Sequence, residues 1–441
     1  MMVSFFQACL RLGADTAVKL TDDEKAILYG SQGLARQKAM ELLVRYGEAL
    51  GAERLIETNN VISAVNAAYR APSSGPEVSV EASFAEFNLD SDQPLEIPHV
   101  KAYSCRVITG FESENWKVMG FSDEAAAVNR KVEDFCSRIG IHLMNTCAPY
   151  LVGNVPVRGE HCAWMESSAV VYCNSVLGGR TNTEGAESSG AAMLVGRTPY
   201  WGYHIDENRL GTHLIEIEQQ PESVMDWGLL GYFAGESVGE SVPVFNGVDR
   251  APDIARLKHC GAAAASSGGV EMYHIVGYTP EAGTLNQAFG KKRPLAKLKF
   301  GPAERKSAYD NLISATDNSV DFVMMGCPHY TIEQIWNACK LLEGRQVREG
   351  VSLWIFTPRA LKSIADKQGL TKIITEAGGH LLSDTCPCIS LMFPRGARTA
   401  ATDSAKHAHY MPAMLGLPTW FGSLRDCIDA AVSGKWRGEL K

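Results

Sequence analysis

Residues 320–388 read VDFVMMGCPHYTIEQIWNACKLLEGRQVREGVSLWIFTPRALKSIADKQGLTKIITEAGGHLLSDTCPC, and this stretch decides the fold. Val320 to Met325 is an apolar run of strand length. Thr331 and Gln334 then form a capping box that opens a helix, with Ile332, Ile335, Trp336, Cys339 and Leu342 on one face. Val351 to Phe356 is a second strand candidate, and Thr357-Pro358 supplies an N-cap with proline in the first helical turn. Two helices are expected up to the Gly378-Gly379 stop, followed by a short apolar run around Leu381 and Leu382. Strands alternating with helices predict an α/β fold with a mainly parallel sheet.

The rest of the chain fits that class. Thr21 and Glu24 make another capping box, ahead of Ile27, Leu28, Leu34 and Ala39, and residues 1–20 read as an N-terminal extension. Ala39, Leu42, Leu43, Tyr46 and Leu50 form a helical stripe that stops near Gly51. Residues 74–98 are rich in turn formers and read as a surface excursion or crossover loop. Residues 141–215 lack periodicity but keep Trp164, Tyr172 and Trp201, which predicts loops packed around a site rather than disorder. Leu229 to Val238 reads as helix and Val270 to Val276 as strand. A chain of 441 residues exceeds one compact core, so residues 21–441 are expected to hold two or three subdomains, with boundaries near 215 and 310.

The net charge of −8 argues against nucleic acid as a partner, and no segment approaches the roughly 20 apolar residues that span a bilayer. Gln7 and Arg11 interrupt the short apolar start, so no signal peptide is expected and the chain reads as cytoplasmic. The twelve cysteines are scattered, unlike a disulfide scaffold, and most should be buried thiols acting as small hydrophobes.

Three cysteines share a context that the others lack. Cys147, Cys327 and Cys386 each follow a short apolar run, and each has a proline close behind: Pro149, Pro328 and Pro387. In open α/β sheets, ligands gather beyond the carboxyl ends of the strands. Three thiols delivered there from distant parts of the chain can converge on a metal centre that keeps one coordination position open for substrate oxygen. Ordinary core cysteines are the alternative. Cys386-Pro387-Cys388 offers a further thiol; along an extended run both would share a face, with Cys386 the expected ligand and Cys388 a packing residue.

Gly159 to Arg209 carries a second signal. Arg180 has the planar fork that grips a carboxylate, and Ser167, Ser168, Thr181 and Asn182 supply hydroxyls and amides to orient a ligand. Each alone is equally a turn or surface residue. His204 reads as a hydrogen-bonded structural histidine, with a base as the alternative. No Walker A loop or HExxH motif is present.

These residues, taken together, resemble the aconitase X family. The resemblance runs through Thr146-Cys147-Ala148-Pro149-Tyr150-Leu151, Trp164-Met165-Glu166-Ser167-Ser168, Asn174-Ser175-Val176-Leu177-Gly178 and Arg180-Thr181-Asn182. It continues through Gly277 to Ala282, Gly326-Cys327-Pro328-His329, Asp384-Thr385-Cys386-Pro387 and Ser404 to Tyr410. It implies an aconitase-like multi-domain α/β fold, with an iron–sulfur cluster or iron held between domains by Cys147, Cys327 and Cys386. It implies a hydro-lyase acting on a small hydroxy acid, and a small swivelling-domain subunit that completes the site and supplies a serine base. Two substrates are known in the family, cis-3-hydroxy-L-proline and mevalonate 5-phosphate. Members resembling the second carry arginine where this chain has Thr183, so the first is expected here. A cluster-carrying RNA-binding protein and a thiol redox protein cycling Cys386 and Cys388 are the other classes to weigh.

Overall fold

The computed structural model describes residues 17–64 and 95–440. Three parallel sheets follow one another along the chain. In the first, the strand order is Ile141–His142, Tyr103–Arg106, Asn60–Ser63 and Ala163–Trp164. The second runs Ala296–Phe300, His213–Ile217, Pro243–Asn246 and His274–Ile275. The third runs His380–Ser383, Ser352–Thr357, Phe322–Met325, Ala400–Thr402 and Thr419–Phe421. One small antiparallel pair, Leu55–Glu57 with Arg197–Pro199, completes the set of sheets among the described residues. The expected α/β multi-domain class with mainly parallel sheets is the one found.

The third sheet shows why its strands lack the alternation of a one-sided sheet. Phe322, Met324, Phe356 and Leu382 face a core shared with Ile62, Cys105 and Trp164 of the first sheet. Val323, Met325, Ile355 and Leu381 face the helices Ile332–Leu342 and Leu424–Ser433. Both faces are covered, so both alternating sets must be apolar. The strand order reverses between Phe322–Met325 and Ala400–Thr402, and a crevice opens at such a switch point beyond the strand ends.

Both expected capping boxes are present, at Thr21 with Glu24 and at Thr331 with Gln334. Other expectations need correction. Only His274–Ile275 of the run Val270 to Val276 is strand, because the backbone just before it is taken by a neighbouring loop. There Ser175 Oγ accepts from the Tyr273 amide, and Asn174 Nδ2 donates to the Glu271 carbonyl. Thr357 ends its strand and donates its hydroxyl to the Tyr330 carbonyl, so Pro358 takes the cap position and Arg359 begins the helix. Val18 is buried in the first core and Lys19 bridges to Arg54, so the end of the expected extension is part of the fold. Residues 74–94 of the expected excursion lie outside the described residues. No helix among the described residues is long and apolar enough to cross a membrane.

The second sheet is covered by the helices Val224–Val238 and Ile254–Gly268, which cross in close contact. A Cβ on Gly235 would collide with Ser267 Oγ and the Ala264 carbonyl, and one on Gly268 would collide with the Gly235 backbone. Small residues here let two helix backbones touch. Gly268→Ala should therefore lower the unfolding free energy by about 1–3 kcal/mol, the usual cost of overpacking. Urea denaturation checks this, and an unchanged midpoint would contradict the packing.

Candidate functional site

The three cysteines singled out in the sequence sit just past the ends of three parallel strands, and the same kind of turn delivers each. Asn145, Gly326 and Asp384, one or two residues before each cysteine, all adopt positive φ, at 46°, 100° and 70°. Asn and Asp tolerate this region better than other side-chain-bearing residues. At Gly326 the requirement is double, because a Cβ would also collide with the Phe356 backbone. Asn145-Thr146-Cys147 and Asp384-Thr385-Cys386 are thus two copies of one turn on different sheets. Pro149 and Pro387 then open the short helical turns Pro149–Leu151 and Pro387–Ser390. Cys386 and Cys388 are therefore not on one extended run, which corrects the alternation argument; Cys388 lies inside the short helix, buried in the same core.

His329 ties the three turns together. Its Nε2 lies 3.1 Å from the Thr385 carbonyl, which can only accept, so Nε2 carries the proton. Nδ1 is then the acceptor for the Thr146 hydroxyl at 2.9 Å, and Thr146 Oγ1 in turn accepts from the Ala148 amide. The His329 backbone amide donates to Cys147 Sγ at 3.3 Å. One residue next to Pro328 thereby binds the turns before Cys147 and Cys386. Burial pushes its pKa down to about 4, so the ring is neutral near pH 7. From the second domain, buried Lys258 donates to the Pro328 and His329 carbonyls at 2.9 and 2.8 Å. Burial brings that ammonium down to about 8.

A second network braces the paired turns from outside. Arg359 donates through Nε to both Asp384 carboxylate oxygens at 3.0 Å, and through Nη2 to Glu133 and Ser113. Glu133 also accepts from Asn145 Nδ2 at 3.1 Å. The first and third sheets are joined by this ionic bridge between their matching turns.

The thiols of Cys147, Cys327 and Cys386 are buried in one core. Burial pushes Cys147 up to about 11 and the other two well above their ordinary range, and charge on any one would raise the others further. A cation stands beside them. Lys406 donates to Glu166 Oε1 at 2.7 Å and reaches Ser167 Oγ at 3.4 Å. Burial disfavours its charge, but Glu166 and the nearby Cys327 outweigh that and hold it above its ordinary value. Burial likewise opposes ionisation of Glu166, yet Lys406 and Ser168 hold its pKa below the usual carboxylate range. His407, the next residue after Lys406, has no partner at either ring nitrogen among the described residues, although the residue is fully buried.

The expected polar anchors divide into two groups. Ser167 and Ser168 open the helix Ser167–Tyr172 beside Glu166 and Lys406. Arg180, Thr181 and Asn182 spend their polar atoms within their own loop. Arg180 pairs with Asp206 and donates to the His204 carbonyl. Thr181 Oγ1 accepts from the Trp164 amide, and Asn182 bonds the Tyr203 amide and the Trp201 carbonyl. Thr183 donates its amide to Glu271. His204 is buried against His161 at 2.9 Å and held neutral, with its pKa driven down to about 3 by burial. Sequence reasoning did not single out His329, Lys258, Lys406, Glu166 or His407 as site residues. The Glu166–Lys406 pair spans 240 residues, and neither member has a local pattern that announces the other.

The donor set suits an iron–sulfur centre: three soft thiols, desolvated, with ammonium groups near enough to favour thiolate. Among the described residues no three His, Cys, Asp or Glu side chains close on one point as ligands of a single ion do. Cluster cysteines bind separate irons and do not require that closure.

Comparison with known proteins agrees with this architecture. Family models for the first, second and third domains of aconitase X match residues 17–207, 211–310 and 320–433. The phosphomevalonate dehydratase large subunit of Methanocaldococcus jannaschii is 35% identical over 416 residues, covering 93% of this chain and 99% of that protein. The cis-3-hydroxy-L-proline dehydratase of Hypocrea jecorina is 34% identical over 425 residues, covering 95% of this chain and 69% of that one. The crystal structure of the holo-form of Thermococcus kodakaraensis aconitase X superposes with a TM-score of 0.79 at 31% identity, covering 94% of this chain and all of that one. Both named relatives are dehydratases, and the chain is an enzyme of the hydro-lyase class. It belongs to the aconitase X family.

His407 yields a stability test. Burial depresses its pKa to about 3. Below about 6.5 the unfolded chain protonates this ring while the folded chain does not, so stability present above 6.5 is lost as pH falls towards 3. His407→Leu should remove about 1.4 kcal/mol per pH unit from the acid dependence between pH 6.5 and 4. Denaturant midpoints across that range measure it; a wild-type slope in the variant would refute the assignment.

Proposed function

We propose that this chain is the large, cluster-bearing subunit of an iron–sulfur hydro-lyase that dehydrates cis-3-hydroxy-L-proline to 1-pyrroline-2-carboxylate. The observation that carries the reading is the gathering of three cysteine turns around His329, with the Lys406–Glu166 pair and two serine hydroxyls alongside. Cys147, Cys327 and Cys386 would hold the cluster, which when bound supplies Lewis-acid chemistry that makes the substrate's 3-hydroxyl a tolerable leaving group.

The chain's own residues bind and orient. Lys406 meets the substrate carboxylate, and Ser167 and Ser168 donate to it from the start of their helix. Glu166 keeps Lys406 charged in its buried setting. Arg180, Thr181 and Asn182 act as positioning residues, lashing the loop that carries Ala163, Trp164 and the serines that follow. A base takes the Cα proton as the Cβ–O bond breaks; water and an enamine result, and the enamine tautomerises to the cyclic imine. A small swivelling subunit closes over the site and brings the base, a serine. A relative named as a large subunit supports a small-subunit partner. The chain is proposed to work in the cytoplasm, where its thiols stay reduced.

Charge favours hydroxyproline. Lys406 is balanced by Glu166 and Arg359 by Asp384 and Glu133, while Lys258 is spent on backbone carbonyls. A zwitterion with one carboxylate needs no more cations than these, whereas a phosphorylated acid calls for additional ones. Mevalonate 5-phosphate remains the second reading, because the match to a phosphomevalonate dehydratase large subunit covers 99% of that protein.

The test is anaerobic co-expression with a candidate small subunit, iron and sulfide analysis, and assays with both substrates. Turnover of cis-3-hydroxy-L-proline alone is expected, and turnover of mevalonate 5-phosphate alone would replace it with the second reading. Cys327→Ser should lower iron content and reduce turnover by at least about a hundredfold, since even outer-shell changes at metal sites cost up to that much. Full iron and full turnover in that variant would sink the cysteine assignment.

A further inference from the structure

Lys38, Lys258 and Lys362 are the buried lysines among the described residues, and they are not alike. Lys38 faces Glu41 at 3.0 Å, and Lys362 lies 2.7 Å from Glu114 and 3.1 Å from Asp366. Lys258, in the helix Ile254–Gly268 of the second domain, is 0% exposed and has no carboxylate within ion-pair distance among the described residues. Taking an ammonium out of water without an anion beside it is one of the costlier burials a fold can make. Its polar partners are therefore informative.

Lys258 Nζ donates to the Pro328 carbonyl at 2.9 Å and to the His329 carbonyl at 2.8 Å. The Pro328 carbonyl and the His329 amide belong to one peptide group. That same amide donates to Cys147 Sγ at 3.3 Å. Ammonium, peptide and sulfur thus form one continuous chain of hydrogen bonds, Nζ–H to O=C and then N–H to Sγ. The peptide is conjugated, so positive charge at its oxygen draws electron density from its nitrogen and strengthens its N–H as a donor. The bond to the His329 carbonyl fixes Nζ against the segment.

The electrostatics follow the same path. Burial pulls the Lys258 ammonium down to about 8, and negative charge on Cys147 restores it more than charge on Asp403 or Cys327 does. From the other side, burial and Glu166 push the Cys147 thiol up, while the His329 amide, Lys406 and Lys258 oppose them. Lys406 has its charge balanced by Glu166 at 2.7 Å. Lys258 has no such balance, and the sulfur at the end of its hydrogen-bond chain is the group best placed to provide one.

We infer that Lys258 tunes the sulfur of Cys147 through the Pro328–His329 peptide and so favours the more negative, reduced form of the centre proposed there. It is a positioning residue, since it acts through another group. The inference rests on the reading of Cys147 as a cluster ligand. Hydrogen bonds to the sulfurs and net charge both set the potential of an iron–sulfur centre, and Lys258 bears on both. A lysine that only stapled two domains together would leave that potential alone.

Redox titration of the full chain, loaded anaerobically with ferrous iron and sulfide, tests it. Lys258→Met should lower the reduced-to-oxidised ratio at a given potential about tenfold, which is about 59 mV towards more negative values for one electron. Lys258→Gln keeps a donor without the charge and should shift the same way, whereas Lys258→Arg keeps the charge and should stay near wild type. Iron release to a chelator should run about tenfold faster in Lys258→Met, as when a partner of a metal ligand is removed. Thermal melts verify folding, and if Lys258→Met does not fold, Lys258→Gln against Lys258→Arg carries the comparison. Wild-type potentials in the uncharged variants, or a shift in Lys258→Arg as large as theirs, would overturn the inference while leaving Cys147 a ligand. A wild-type chain that takes up no iron would overturn the cluster reading itself, and this inference with it.

Discussion

A neutral imidazole is the constraint on which the cysteine region depends. His329 needs one donor and one acceptor nitrogen, and the structure gives it one partner of each kind, from loops that begin on different sheets. Protonating the ring would turn Nδ1 into a donor and force the Thr146 hydroxyl to swing its own proton away and accept instead. Burial prevents this by pushing the ring's pKa far below neutrality. Lys258 then holds the backbone on which His329 sits, so the second domain joins the same assembly through two carbonyls rather than through a carboxylate. All three domains meet at one short segment, Cys327 to Tyr330.

That arrangement accounts for the duplicated turns. A parallel sheet delivers its strands' carboxyl ends to one edge, but it does not by itself aim the residues beyond that edge. A left-handed residue two positions before Cys147 and Cys386 turns the chain back, and the Arg359 bridge locks both turns to each other. Asn145 can be neutral and Asp384 charged because Arg359 contacts the aspartate directly and the asparagine only through Glu133. The two turns are alike in backbone and complementary in charge.

The alternation of strands and helices, the capping boxes and the parallel class were legible because they depend on residues within a few positions of each other. The helix Ala186–Val195 was not, since it is buried on all sides from Ser188 onward and shows no stripe. The short strand His274–Ile275 was overestimated because Tyr273 looks like a strand residue but gives its amide to Ser175. At the site, the shared position of Cys147, Cys327 and Cys386 was visible one cysteine at a time. The residues that organise them were not: Lys406 and Glu166 gain meaning only when the fold brings them to 2.7 Å, and His329 looks like any buried histidine until its three partners are seen. Arg180 illustrates the converse. Its fork suits a substrate carboxylate, but Asp206 supplies one from within the chain.

The proposed cysteine ligands carry a further consequence for how the site fills. Their thiols are held protonated by burial, with Cys147 pushed to about 11, while ligation requires thiolate. Loading must therefore expel protons from a desolvated core, and the only nearby compensation is positive charge. Lys406 offers it, kept cationic by Glu166 even when the thiols are neutral. The ion pair is thus not a fixed neutral unit: as thiolates form, the Lys406 ammonium gains partners, and Glu166 is left facing more negative charge than before. A carboxylate so placed is stable only when new positive charge enters the site. The Lys406–Glu166 pair consequently biases the core towards accepting a cationic centre.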